Sequence, residues 1–262
     1  SVVFARAGKR VGAVTVNYMR LWIAVPALLL IHWLRFATPF PFAIEPGRFF
    51  YLGVSGLIGF VIADTMLFES FLLIGPRLAM LLALLVPVAS SLLAWVFLGE
   101  KLLALEIASM LVTIGGIAWV VAEKTVPLDT PTSRDPRKYR LGILLAVGAA
   151  AGQALGLLFS RLGLAGGYSA ISATLVRVSV SALAMMVLSI IQGNIHAHLL
   201  KMKDKKALLE IGAGALTGPA LGAVLSLVAI ANAHIGVAST LMSLTPVLLL
   251  PVARFLFNEK IT

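Results

Sequence analysis

The stretch 87–101, PVASSLLAWVFLGEK, returns at 246–260 as PVLLLPVARFLFNEK. One offset of 159 positions puts Pro87 on Pro246, Glu100 on Glu259 and Lys101 on Lys260, with an apolar run between them. The echo reaches further. Phe4-Ala5-Arg6 has a counterpart in Phe159-Ser160-Arg161, Arg20 corresponds to Arg177 within a two-residue indel, and Ile74-Gly75 matches Ile235-Gly236. Such a chain is a duplicated unit, so its fold must be one that two copies of a single module can build.

The module belongs in lipid. Hydrophobic residues make up 60% of the sequence and charged residues 12%, and the mean hydropathy of +1.02 is well beyond what a water-soluble core needs. A bilayer core of ~30 Å asks for about 20 apolar residues per helix. Windows of that kind lie near 13–34, 50–74, 77–98 and 103–122, then near 141–163, 168–192, 208–233 and 236–257. The opening SVVFA is too short to span; it reads as the tail of a helix, followed by a basic connector over 6–12. The basic stretch HAHLLKMKDKK at 196–206 reads as a loop.

The sequence therefore predicts an all-α integral membrane protein. A first repeat covers 1–122 with its first helix truncated, a polar linker covers 123–140, and a second repeat covers 141–262 with its last helix missing. Five helices per unit, an odd number, would insert the copies in opposite senses. The result is a helical bundle of two inverted five-helix repeats, a ten-helix architecture whose first and last helices lie largely outside this chain.

A net charge of +10 does not point to nucleic acid, because the Lys and Arg residues sit in short runs between apolar windows rather than on one face. The loops at 6–10, 77, 124–140, 201–206 and 260 carry fourteen of them and the opposite set carries four, which places the first set on the cytoplasmic side. The absence of cysteine excludes disulfides and thiol-ligated metals. Gly148, Gly152 and Gly156 recur every four residues, as do Gly214, Gly218 and Gly222, with Ser55, Gly59 and Ala63 a weaker version. Small residues at that spacing let helix backbones approach closely in lipid.

On these residues the chain resembles the drug/metabolite transporter (DMT) superfamily, in its EamA-like branch of ten-helix carriers built from two five-helix repeats. The run ending in Leu98-Gly99-Glu100-Lys101, its partner ending in Asn258-Glu259-Lys260, and Arg20 and Arg177 early in the second helix of each unit carry the likeness. It spans essentially the whole chain. Asn258 stands where the family pattern favours Gly. The resemblance implies a secondary carrier with both termini cytoplasmic, whereas the charge count puts the loop after the first helix inside.

An ionisable residue within a span is costly and tends to face a cavity or a partner. Asp64 lies deepest in its window, and the matching part of the second unit has no acid; it is read as a substrate or proton site or as an ion-pair partner of Arg20. Glu69, five residues on and about 140° around the helix, faces elsewhere but remains a second candidate. Arg20, with Asn17 one turn earlier on the same face, and Arg177 either brace helices or clamp a carboxylate. Gln153 makes an interhelical hydrogen bond or lines the cavity. Trp22, Phe68, Phe71 and Asn232 are read as cavity walls, and His234 as an interfacial residue. Pro87 and Pro246 each remove a backbone donor within a span and predict kinks.

The expected function is secondary transport of a small metabolite, amino acid or drug-like compound, outward across the inner (plasma) membrane by alternating access. The alternative is a non-transporting scaffold or lipid scramblase of the same fold. No GxxxxGK[ST] run is present for nucleotide binding. An intramembrane enzyme fits poorly: there is no HExxH, no second intramembrane Asp, and no Ser/His pair at matching depth. No catalytic residue, metal or cofactor is expected. The expected partners are a small-molecule substrate and the lipid bilayer, with a homodimer left open.

Overall fold

The computed structural model describes residues 2–102, 104–123, 135–201 and 204–243, and the regular structure among them is helical. The helices are α1 (Val2–Val11), α2 (Ala13–Phe36), α3 (Pro46–Ile74), α4 (Pro76–Leu98), α5 (Ala104–Glu123), α6 (Pro136–Gly163), α7 (Ala170–Ile191), α8 (Ile195–Lys201), α9 (Lys205–Asn232) and α10 (Ile235–Ser243). Six of them, α2, α3, α4, α6, α7 and α9, are long and apolar enough to cross a bilayer, and α5 holds a shorter apolar stretch, Ala104–Trp119. The expected kink at Pro246, the second Glu-Lys pair and most of the linker at 123–140 lie outside the described residues.

Local chemistry sets the helix ends. Asp135 accepts a hydrogen bond from the Arg137 amide at 2.9 Å, and Pro136 occupies the first helical position, where its missing N–H is no loss. Residues 136–140, expected in the linker, are therefore the first turn of α6. Gly75, at φ 82°, makes the one-residue turn between α3 and α4 that a side chain would strain. Two stretches expected to be irregular are helical. The connector at 6–12 stays helical through Gly8 to Val11, and the helix ends at Gly12, at φ 88°. The basic stretch at 196–206 contributes α8, because His198 is buried against α2.

The equivalent helices α3 and α9 change hydrogen-bond register midway. In α3 the segment Leu57–Ala63 is π-helical, and in α9 the segment Leu216–Gly222 is, 159 positions on: the offset of the sequence repeat. Helix α4 breaks at Ala83 and Leu84. Pro87 has no N–H for the Ala83 carbonyl, so the Val86 amide takes it at 3.0 Å and the Leu84 amide turns back to Leu81 at 3.1 Å, both tight i→i−3 bonds.

Contacts between the halves are reciprocal. The first helix of one half packs on the third of the other in both directions, α1 on α9 and α6 on α3; α2 packs on α7, and α4 on α10. The glycine stripe of α6 is the face laid on α3. A Cβ at Gly152 would stand 2.9 Å from that of Ala63, and one at Gly156 would stand 3.2 Å from the Gly59 Cα. Ser55 fastens the same seam through the Gly156 carbonyl and the Ser160 hydroxyl, each at 2.7 Å.

Candidate functional site

In the π segment of α3, side chains from two other helices reach backbone carbonyls, one of which, that of Gly59, also accepts from the Asp64 amide. Asn17 of α2, fully buried, donates to the Phe60 carbonyl at 2.8 Å and to the Thr65 hydroxyl at 2.8 Å. Gln153 of α6 reaches the Gly59 carbonyl at 3.4 Å and donates to Asp64 Oδ1 at 2.6 Å. Asp64 opens the α-helical turn after the π segment, and its other oxygen is ion-paired with Arg20 Nη2. Arg20 Nε donates in turn to Asn17 Oδ1 at 2.9 Å. Aspartate and arginine are each 6% exposed. A pair so far from water keeps its charges only if every polar atom is met, and here five side chains form a closed network.

Arg177 of α7 lies beside this network. It is 5% exposed, its Cζ lies 4.8 Å from the centroid of Phe60, and Arg20 Cζ lies 5.9 Å from the same ring. The Phe60 ring is thus within cation–π reach of both guanidinium groups. The Arg177 Nε is buried without a hydrogen-bond partner among the described residues. Arg20, Asp64, Gln153 and Arg177 line one cavity of 350 Å³, closed further by Ala83 and Val86 of α4 and by small residues of α9. Both halves of the chain supply its walls.

The other candidates sit elsewhere. Glu69 is half-buried and does not line the cavity. Trp22, expected as a wall, is two residues from Arg20 and so about 200° around α2; it packs beside Tyr18, at 6.5 Å between rings. Phe68 and Phe71 fill the core between α1 and α3, with Phe68 5.3 Å from Phe4 and 5.9 Å from Phe71. Phe68 serves the cluster indirectly, its ring 4.8 Å from the Arg20 guanidinium carbon. Asn232 is exposed at the end of α9, donates to the Val228 carbonyl at 2.8 Å, and lines a separate opening of 880 Å³ shared with Glu100, Arg161 and His234. There Glu100 holds the start of α10, accepting from the Ile235 amide at 3.2 Å and lying 3.4 Å from His234 Nδ1.

Sequence reasoning did not find Phe60, although it stands one turn before Asp64 on the same face. Leu67, Leu157, Ser226, Ser239 and Met242 also line the cavity and escaped notice. Their residue types are those of ordinary packing faces, so composition held no signal for them.

Fold and site together define a polytopic helical membrane protein with a charged network in its interior. The EamA-like transporter family model matches residues 1–122 and again 140–262, so the chain belongs to the EamA-like transporter family of the DMT superfamily. No curated protein matches the chain. Six solved chains do; one, described only as "Crystal structure of protein", superposes with a TM-score of 0.66 at 17% identity, over 100% of this chain and 86% of that one. Likeness at that identity is likeness of fold.

Proposed function

We propose that the protein is a secondary transporter that moves a small metabolite, amino acid or drug-like compound outward across the inner membrane, by alternating access between two inverted five-helix repeats. The observation that carries this reading is the cavity: two arginines and one aspartate buried together between the halves, in spans where an ionisable side chain is expensive and tends to face a pathway. Contacts that pair α1 with α9 and α6 with α3 suit units related by a two-fold axis, the arrangement inverted repeats adopt. Where the cavity meets α4 and α9, those helices depart from α geometry, at the turn before Pro87 and in the second π segment. Such places change register at low cost and suit an element that must rearrange. Asp64 is the proton carrier in this scheme: protonation dissolves its pair with Arg20 and frees both groups.

The test is flux in proteoliposomes holding the purified protein, with a panel of radiolabelled amino acids and organic acids and an imposed pH gradient. Wild type should show gradient-dependent flux of at least one solute, and Asp64→Asn should lose it. Full pH-dependent flux in Asp64→Asn removes Asp64 as proton carrier. Movement of labelled lipid between leaflets with no solute flux would replace the carrier by a scramblase.

A further inference from the structure

The repeat supplies two equivalent arginines, yet they are not used alike. Arg20 is tied to Asp64 and to Asn17. Arg177 has the aromatic face of Phe60 on one side, an unmet Nε, and no carboxylate within ion-pair distance among the described residues. A bidentate fork so deeply buried, with no oxyanion of the described residues in it, is an unfilled half of a pair. The charge count agrees: among the described residues that line the cavity, two guanidiniums and one carboxylate leave one positive charge uncompensated. The rest of the lining mixes apolar side chains, Leu157, Val86 and Met242 among them, with the hydroxyls of Ser226, Ser239 and Ser243.

We propose that Arg177 is the anion receptor of this cavity, and that the solute it takes is a small monoanion: one carboxylate on the guanidinium, with an apolar remainder against Leu157, Val86 and Met242. Arg20 takes no part in holding the solute, because its charge is already answered by Asp64. The 350 Å³ volume limits that solute to a compact molecule. The inference rests on the transport reading above for its physiological meaning, while binding itself can be measured without any flux.

The experiment uses the purified protein in lipid nanodiscs at pH 7, with thermal unfolding and equilibrium binding as readouts. The probes are four compounds of similar size: benzoate, phenyl phosphate, benzamide and benzylamine. Benzoate should raise the unfolding temperature, and benzamide and benzylamine should not. Arg177→Met should weaken benzoate binding by about tenfold or more, the worth of a charge-assisted hydrogen bond. It should also leave the ligand-free protein as stable as wild type or more so, since it removes a buried unpaired cation. Arg20→Met, which strands Asp64, should lower the unfolding temperature.

Loss of stability in Arg177→Met equal to that in Arg20→Met would show a protein partner for Arg177 and overturn the proposal. Equal binding of benzamide and benzoate would overturn it as well, and binding of phenyl phosphate without benzoate would overturn the carboxylate assignment. Benzoate binding that depends on Arg177 in a protein without solute flux would sink the transporter and keep the receptor. Flux of neutral or cationic solutes alone would sink the receptor and keep the transporter.

Discussion

Helix α3 enters π geometry at Leu57 and leaves it at Asp64; α9 enters at Leu216 and leaves at Ala223, 159 positions later. At the shared exit the first half carries a buried carboxylate and the second a methyl group, and both line the same cavity. The backbone device is common to the two halves and the chemistry is not. What the duplication supplies is a frame with two arginines, one per half; what makes the frame a site is the single acid that answers one of them and leaves the other open.

That comparison can be broken most directly by moving the acid. Asp64→Ala leaves Arg20 and Arg177 buried together without a counter-charge, and should cost about 3–5 kcal/mol of stability, the usual penalty for removing one partner of a buried pair. If Ala223 stands to Arg177 as Asp64 stands to Arg20, adding Ala223→Asp to that variant should restore about 2 kcal/mol, a modest coupling for a close charge pair. Thermal unfolding of wild type, the single and the double variant decides it. A double variant no more stable than Asp64→Ala means the halves are not equivalent at this level.

The glycine stripes give a smaller contrast of the same kind. In the first seam a Cβ on Gly152 meets the Ala63 Cβ at 2.9 Å; in the second the close approach falls at Gly214, where a Cβ would stand 2.6 Å from the Phe4 ring, and at Gly218 the nearest atom of that ring is 3.9 Å away. Gly152→Ala should therefore destabilise by about 1–3 kcal/mol through overpacking, and Gly218→Ala should stay within about 0.5 kcal/mol of wild type. Similar losses from both would mean that α1 lies as close to α9 at Gly218 as α6 lies to α3 at Gly152.

How far the sequence reveals this arrangement depends on the cost of what is being encoded. Asp64, Arg20, Asn17 and Gln153 stand out because a polar group in an apolar span needs a reason, and the structure brings all four into one network. Arg177 is visible for the same reason, through its register with Arg20. Apolar walls carry no such mark: Trp22, Phe68 and Phe71 look like cavity residues and are core, while Leu157 and Met242 look like core and are cavity. The π segments share no sequence mark: LTGPALG carries Pro219, which has no N–H to give the i−4 carbonyl, while LIGFVIA at the same register has no such residue. Helix α8 hides in a basic stretch because its stability comes from one buried histidine docked on a distant helix rather than from local propensity.

The same histidine gives the finest test of how the halves differ. Each half ties down the connection between its second and third helices with an imidazole: in the first, His32 meets the Thr38 carbonyl at 2.7 Å and Ser172 at 3.1 Å. In the second, His198 meets Thr15 at 2.9 Å and stacks on Tyr18 at 5.1 Å, with the Lys201 ammonium close by on the Val11 carbonyl. Burial, and then the charge of Lys201, hold His198 below the ordinary histidine value of 6.5. With the folded value the lower one, the unfolded segment binds the proton first. The docking contribution is complete above pH 6.5 and drains away as pH falls from 6.5 through the folded value. Amides of 195–201 should then exchange faster at pH 5.5 than at pH 7.5 once intrinsic rates are divided out. His198→Gln, which keeps a hydrogen-bonding group and removes the titration, should flatten that profile. A slope that survives the substitution would assign the pH dependence to another group and leave α8 held by packing alone.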